Sequence, residues 1–255
     1  MKEKILKVAE LICDSYMTVA LSGAGMSTES GIADFRTPGT GLWEKIDPME
    51  FGSIDSFLTG FDMSKMMDLI KTIDVSSFIG AKPNEGHKAL AELERMGLLK
   101  CVITQNVDML HSVAGNKDVI ELHGSFRTSS CMNCGKEMST GKFIGKVIRN
   151  GRIPPICECG GIIKPDVVFF GETLPSDALS RSTEYAEKCD LMIVVGSSLV
   201  VYPAASLPPI AKQNGAKVVI INMEPTPYDS MADIVIHGKC GEVLPEIVKE
   251  LKSLI

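Results

Sequence analysis

The chain reads as an α/β protein: a parallel, doubly wound sheet with a small metal-binding module inserted between its halves. Three observations predict this. Short apolar, β-branched runs alternate with segments of helical periodicity along most of the 255 residues, the pattern of parallel strands joined by crossover helices. A glycine-rich turn, GAGMSTESG at 23–31, follows the first apolar run. Two close cysteine pairs, Cys131/Cys134 and Cys157/Cys159, fall where the composition changes.

The elements follow in order. Residues 2–16 carry apolar residues at Ile5, Val8, Ala9 and Ile12, a helical stripe. TVALSG (18–23) reads as a strand ending in the glycine turn. Residues 31 to about 80 are less regular, too long for a simple loop, and predict short helices forming a cover. Pro83–Met96 reads as a helix with proline in its first turn and a stop at Gly97. CVITQN (101–106) and DVIEL (118–122) are the next strands. VVFFG (167–171) is read as the return to the sheet, followed by a helix over Ser176–Lys188. LMIVVG (191–196), a helix near 203–213, KVVIIN (217–222), DIVIH (233–237) and a closing helix over Gly241–Leu254 complete the pattern.

Composition narrows the classes of function. Hydrophobic residues make up 45% and charged residues 23%, as in an ordinary globular protein. A net charge of -6 argues against direct nucleic-acid binding, which rewards a basic excess. The first 17 residues interleave charged with apolar positions, unlike a signal peptide, and no apolar run is long enough for a membrane helix. The expectation is a cytoplasmic protein with no membrane partner.

The cysteine spacing is Cys-x2-Cys, 22 residues, then Cys-x-Cys. Two such pairs let four thiolates converge tetrahedrally on one zinc ion. Gly135, Gly160 and Gly161 permit the tight turns of such knuckles. With all four positions taken by protein, no site is left for water, so the expected zinc is structural. Cys13, Cys101, Cys189 and Cys240 are scattered and read as small buried side chains.

The 23–31 loop departs from the dinucleotide fingerprint, since Thr28 stands at its third glycine position. A plain strand–helix connection is therefore the competing reading. GSS (196–198) and Asn222 end two further strands, and ligands of open parallel sheets collect beyond such ends. Of four histidines, His87 and His237 read as structural, and His111 can face either way. His123 follows the DVIEL strand directly, where an imidazole suits a general base. Gln105, Asn106 and Asp108 end the neighbouring strand with groups able to orient hydroxyls or a carboxamide. These residues alone leave hydride transfer and a reaction that consumes the dinucleotide both open.

The chain as a whole resembles the sirtuins, the NAD-dependent protein deacylases. The resemblance rests on GAGMSTESGIADFR (23–36), PGTGLW (38–43), AKPNEGH (81–87), TQNVDMLH (104–111), ELHG (121–124), the four cysteines, KPDVVFFGE (164–172), GSSLVVYPAA (196–205) and IN (221–222), in that order. It implies a Rossmann-like parallel sheet with helices on both faces, formed by 1–35, 81–124 and 165–255. It further implies a zinc module at 125–164, a helical cover and cofactor loop at 36–80, and an acyl-lysine substrate in the cleft between the domains.

The resemblance also assigns residues. NAD would meet Ala24, Thr28, Phe35 and Arg36 in the first loop, with Ile32 near the carboxamide. Gln105, Asn106 and Asp108 match the nicotinamide and ribose pocket; Gly196, Ser197, Asn222 and the Cys240 backbone match the adenosine side. His123 matches the catalytic base, which helps a ribose hydroxyl attack the imidate formed after nicotinamide leaves; water then completes the reaction, giving free lysine and O-acyl-ADP-ribose. Phe35 would shield that intermediate. The peptide would pair as an added strand between Gly171, Glu172 and Leu174 on one side and Val200, Val201 and Tyr202 on the other, with Val167 lining the acyl-lysine tunnel.

Two features qualify the resemblance. Ala33 replaces the family's usual proline before Asp34. Residues 37–94 contain neither tyrosine nor arginine, the pair with which some sirtuins clamp succinyl or malonyl groups, so a preference for neutral acyl groups is expected. A sirtuin-type mono-ADP-ribosyltransferase and a non-catalytic NAD-sensing module are the alternatives.

Overall fold

The computed structural model describes residues 1–37, 39, 41–60, 78 and 80–255. Its strands are β1 (Thr18–Ser22), β2 (Cys101–Thr104), β3 (Val119–Glu121), β4 (Gly124–Cys131), β5 (Glu137–Ser139), β6 (Ile163–Val167), β7 (Leu191–Val195), β8 (Lys217–Ile221) and β9 (Ile234–Ile236). Six form one sheet in the order β3-β2-β1-β7-β8-β9, every neighbouring pair parallel. This is the doubly wound order, in which the chain leaves β1 first toward one edge and later toward the other.

Helices cover both faces. α1 (Lys2–Asp14), α4 (Glu85–Arg95) and α9 (Cys240–Leu254) pack Ile12, Leu90 and Ile247 against Ala20, Ile193 and Ile221 on one face. On the other, α7 (Ser176–Lys188) and α8 (Leu207–Gln213) pack Ala186 and Leu207 against Val19, Leu21, Met192 and Ile220. Because both faces are covered, the strands are apolar at successive positions instead of alternating. Between α1 and α4 lie the short helices α2 (Pro48–Gly52) and α3 (Ile54–Thr59), as expected of the cover; its positions 61–77 lie outside the described residues.

Two expectations are corrected. VVFFG does not rejoin the large sheet. Instead β6 ends at Val167 and pairs antiparallel with β4 in a second, three-stranded sheet of order β5-β4-β6. The next amides go to separate partners, Val168 N to His123 O at 2.9 Å and Phe170 N to Gly52 O at 2.8 Å. The run is apolar because it leaves one sheet and crosses a cleft, and apolar content alone cannot distinguish that from a buried strand. Likewise Pro83 is not within the first turn of α4. The Asn84 side chain accepts from Gly86 N at 3.0 Å and His87 N at 3.2 Å, so the helix starts after this cap.

The smaller sheet carries α6 (Thr140–Asn150), whose Phe143 packs with Cys131, Cys157 and Ile163 in a core of its own. The remaining helix, α5 (Leu110–Ala114), follows β2. No described helix is long and apolar enough to cross a membrane.

Candidate functional site

The doubly wound order places a crevice beyond the ends of β1 and β7, where the connections leave toward opposite edges of the sheet, and the chain is built to bring those ends close. Gly23 N donates to Val195 O at 3.1 Å, and Gly25 N to Gly196 O at 2.9 Å. A Cβ on Gly196 would lie 2.2 Å from Met26 N, and the residue has φ +58. Only glycine fits there. The loop beyond β1 then folds as two 3-10 turns, Ala24–Met26 and Thr28–Ser30. Ala24 is half-buried and Thr28 exposed, its Oγ1 donating to Gly25 O at 3.0 Å.

At the end of β2, Asn106 is buried and its amide donates to Gly23 O at 3.0 Å and Ser27 Oγ at 3.1 Å. Both amide protons are used, which leaves Oδ1 as the group able to accept from a ligand. Ser27 Oγ donates to Asp108 Oδ2 at 2.6 Å, and Leu110 N to Asp108 Oδ1 at 2.9 Å. Burial raises the Asp108 pKa, partly offset by these two donors. Gln105 Nε2 donates to Ser197 Oγ at 2.9 Å, which joins the end of β2 to the end of β7 across β1.

His123, at the end of β3, is half-buried. Its Nδ1 lies 2.9 Å from Gln105 O. Burial lowers its pKa, opposed by that hydrogen bond, so the ring is neutral near pH 7. On the far side of the crevice Asn222 ends β8, its Nδ2 donating to Glu224 O at 2.7 Å. Cys240 opens α9 with a buried side chain. The first loop reaches this helix through Glu29, whose Oε2 accepts from Gly241 N at 2.7 Å.

Ile32, Phe35 and Arg36 lie on the segment after the glycine loop. Ile32 is half-buried. Phe35 stacks on Trp43 with centroids 4.9 Å apart, and the Asp34 carboxylate accepts from Arg36 N at 3.2 Å and Thr37 N at 2.9 Å. Asp34 thus caps the turn itself, without the proline expected before it.

Val167 is buried where β6 meets the main-chain oxygen of His123 through Val168. Beyond it, Gly171 turns at φ +91, and Glu172 accepts from Phe169 N at 2.9 Å and Lys164 Nζ at 3.0 Å. Leu174 packs on the core under the sheet. Val200 and Tyr202 are exposed, the Tyr202 hydroxyl lying 2.6 Å from that of Tyr228, while Val201 O accepts from Ala205 N at 2.9 Å. No described backbone group pairs with the amides of Gly171, Leu174, Val200 or Tyr202, so both segments keep free main-chain donors.

The four cysteine Sγ atoms of the module lie within 4.8 Å of one another, with Cys131–Cys159 at 3.5 Å and Cys134–Cys157 at 3.9 Å. Four thiols gathered at that spacing fit one tetrahedral zinc.

Sequence reasoning missed three contributors. Ser27 joins Asn106 to Asp108, and its place inside the glycine loop was the available signal. Lys164 Nζ also donates to Val167 O at 2.7 Å, pinning the strap beside the cleft; a lysine between apolar residues was the clue. Trp43, the single tryptophan, supports Phe35.

The Sir2 family model matches residues 23–203. The chain belongs to the Sir2 family. Its relatives in this family include the NAD-dependent protein deacylase 2 of Archaeoglobus fulgidus, 47% identical over 255 residues, covering 100% of this chain and 98% of that protein. The NAD-dependent protein deacetylase of Sulfolobus acidocaldarius is 47% identical over 252 residues, 99% of this chain and 97% of that one. Among solved Sir2 structures, one from work on the mechanism and regulation of Sir2 enzymes superimposes with a TM-score of 0.89 at 46% identity, covering 100% of both chains. A Sir2–p53 peptide–NAD+ complex superimposes with a TM-score of 0.86 at 39% identity over 98% of both chains. The six-stranded sheet and the four-cysteine module are thus those of a Sir2 enzyme.

Proposed function

We propose that the protein is an NAD-dependent protein-lysine deacetylase, acting on acyl-lysine in extended segments of other proteins. The observation that carries this reading is the His123–Gln105 bond. A carbonyl only accepts, so the proton is on Nδ1 and the lone pair on Nε2, at the strand ends beside Asn106 and Asp108.

The cleft fits NAD. The β1 and β7 ends meet closely enough that a Cβ on Gly23 would lie 2.8 Å from Gly196 O, so the glycine loop packs directly on the end of β7, and its small residues let a phosphate bridge approach the backbone. Ala24, Thr28, Phe35 and Arg36 take the first-loop side; Gly196, Ser197, Asn222 and the Cys240 backbone take the adenosine side. When bound, NAD supplies an electrophilic ribose carbon and nicotinamide as leaving group. The chain does the rest. Asn106 Oδ1 and Asp108 orient ribose hydroxyl and carboxamide, with Ile32 beside the latter. His123 Nε2 takes a hydroxyl proton, and Phe35 against Trp43 shuts out water that would otherwise hydrolyse the cosubstrate.

The free amides of Gly171 and Leu174 and of Val200 and Tyr202 support an added-strand mode of peptide binding, with Glu172 and Val201 in the same two segments and Val167 beside the acyl chain. Zinc held by Cys131, Cys134, Cys157 and Cys159 has no open position and serves the fold alone.

The test is incubation with NAD and an acetyl-lysine peptide, read by mass spectrometry, with His123→Ala alongside. Deacetylated peptide, nicotinamide and O-acetyl-ADP-ribose, all lost in the variant, are expected. ADP-ribose on protein with the acetyl group intact would move the assignment to a transferase, and no turnover would leave an NAD-binding module.

A further inference from the structure

His87 and His111 belong to none of the roles above, yet they lie directly beneath the site. They are 0% and 2% exposed, and their rings pack at 58° with centroids 4.8 Å apart. His111 Nε2 lies 2.8 Å from Ser22 Oγ, and Ser22 Oγ lies 2.8 Å from Thr104 Oγ1. Thr104 Oγ1 also accepts from Asn106 N at 3.0 Å. At the other end, His87 Nδ1 accepts from Asn84 N at 3.4 Å. Among the described residues, His87 Nε2 and His111 Nδ1 are buried with no partner. Two orphaned ring nitrogens on adjacent rings call for an explanation, since each one left unmade is costly.

We infer that His87 and His111 are positioning residues: His111 heads a one-directional run of hydrogen bonds through Ser22 and Thr104 to Asn106, and His87, packed ring against ring on His111, ties that run to the start of α4. This rests on the proposed function to the extent that Asn106 is taken to hold NAD.

Each ring's tautomer is fixed by its own partner. A backbone N–H can only donate, so His87 Nδ1 is an acceptor and its proton sits on Nε2. At the other end the Ser22 hydroxyl donates to Thr104, so Ser22 can only accept from His111, whose proton is therefore on Nε2. His111 Nε2 then donates to Ser22, whose own hydroxyl proton passes to Thr104. Burial pushes His87 down to about 4 and His111 to about 3, so each ring keeps a single proton.

Both ends of the run touch the cofactor cleft. Asn84 Nδ2 donates to Met26 O at 2.8 Å and Ser30 Oγ at 3.1 Å, which holds the glycine loop. Ser22 O accepts from Gln105 N at 3.0 Å, and Thr104 holds the next amide. The two histidines therefore lock the β2 turn to the loop that faces it.

The first measurement is 15N NMR of histidine-labelled protein, assigned with His87→Gln. Both rings should be the Nε2–H tautomer from mildly acidic to mildly basic pH; a Nδ1–H signal for either ring overturns the inference. This arm needs no activity, so it stands apart from the proposed function. The second is NAD affinity by calorimetry. His111→Leu should weaken NAD binding about tenfold, the effect of one buried hydrogen bond lost. His111→Gln, with a donor and an acceptor at similar reach, should recover all but about threefold of it. Glutamine no better than leucine, or leucine equal to the native protein, would make the pair mere filling.

Discussion

His123 Nδ1 lies 2.9 Å from the main-chain oxygen of Gln105, so the residue that carries the amide contact to Ser197 also fixes the tautomer of the proposed base. A base acts only when deprotonated. Burial puts its pKa below the usual 6.5, so activity should hold from neutral pH downward and be lost only as pH falls through that lowered value. The pH profile of kcat/KM for the acetyl peptide checks this: an acid limb at or above the ordinary histidine range would exclude His123 as the base. His123→Ala should cost about 100- to 10,000-fold in rate.

Much of this was legible in the sequence because parallel strands buried on both faces leave uninterrupted apolar runs, and because cysteine spacing encodes tetrahedral geometry. LMIVVG and KVVIIN are found as β7 and β8 with bounds close to those read. The cleft was harder. VVFFG is as apolar as a strand since Val167 and the residues after it bridge the two sheets, and no local pattern distinguishes the two roles. Gln105 could be placed at a strand end but not joined to Ser197, 92 positions later, because only the strand order makes them neighbours. His111 stayed ambiguous for the same reason: its partner Ser22 lies on a strand 89 residues earlier.

Gly196 has no room to become anything else. With φ +58 and a would-be Cβ 2.2 Å from Met26 N, Gly196→Ala combines left-handed strain with a backbone collision. It should destabilise the protein by at least about 2 kcal/mol and abolish NAD affinity, since β1 and β7 would be forced apart at the turn proposed to face the phosphates. Chemical denaturation and calorimetry on the same preparation read both. A variant as stable as the native protein that still binds NAD would show that the close approach is not needed.

The zinc module has little else to hold it. Its buried apolar core is Cys131, Phe143, Cys157 and Ile163, and two of those four are ligands. Structural zinc supplies roughly 10–16 kcal/mol to such a module. Cys134→Ser, or a strong chelator, should therefore strip the metal and abolish hydrogen-exchange protection across 124–167 while the six-stranded sheet stays protected. Elemental analysis gives the zinc content. Unchanged protection in zinc-free protein would mean that the small sheet is self-sufficient.

Acyl selectivity follows from what the cover lacks. Residues 37–94 contain neither tyrosine nor arginine, and Lys164, the cation beside the Val167 strap, is already committed to Val167 O at 2.7 Å and to Glu172 at 3.0 Å. A succinyl carboxylate carried past Val167 would be desolvated without a tyrosine–arginine pair to hold it, at a cost of a few kcal/mol. An acetyl group brings no charge to desolvate. On one peptide sequence, acetyl-lysine should therefore be processed at least about tenfold faster than succinyl-lysine, tenfold being only about 1.4 kcal/mol of that cost. Competition of the two peptides in one tube measures the ratio directly. Equal or inverted rates would require a cation to turn into the cleft, and Lys164→Met would then identify it by reducing succinyl turnover alone.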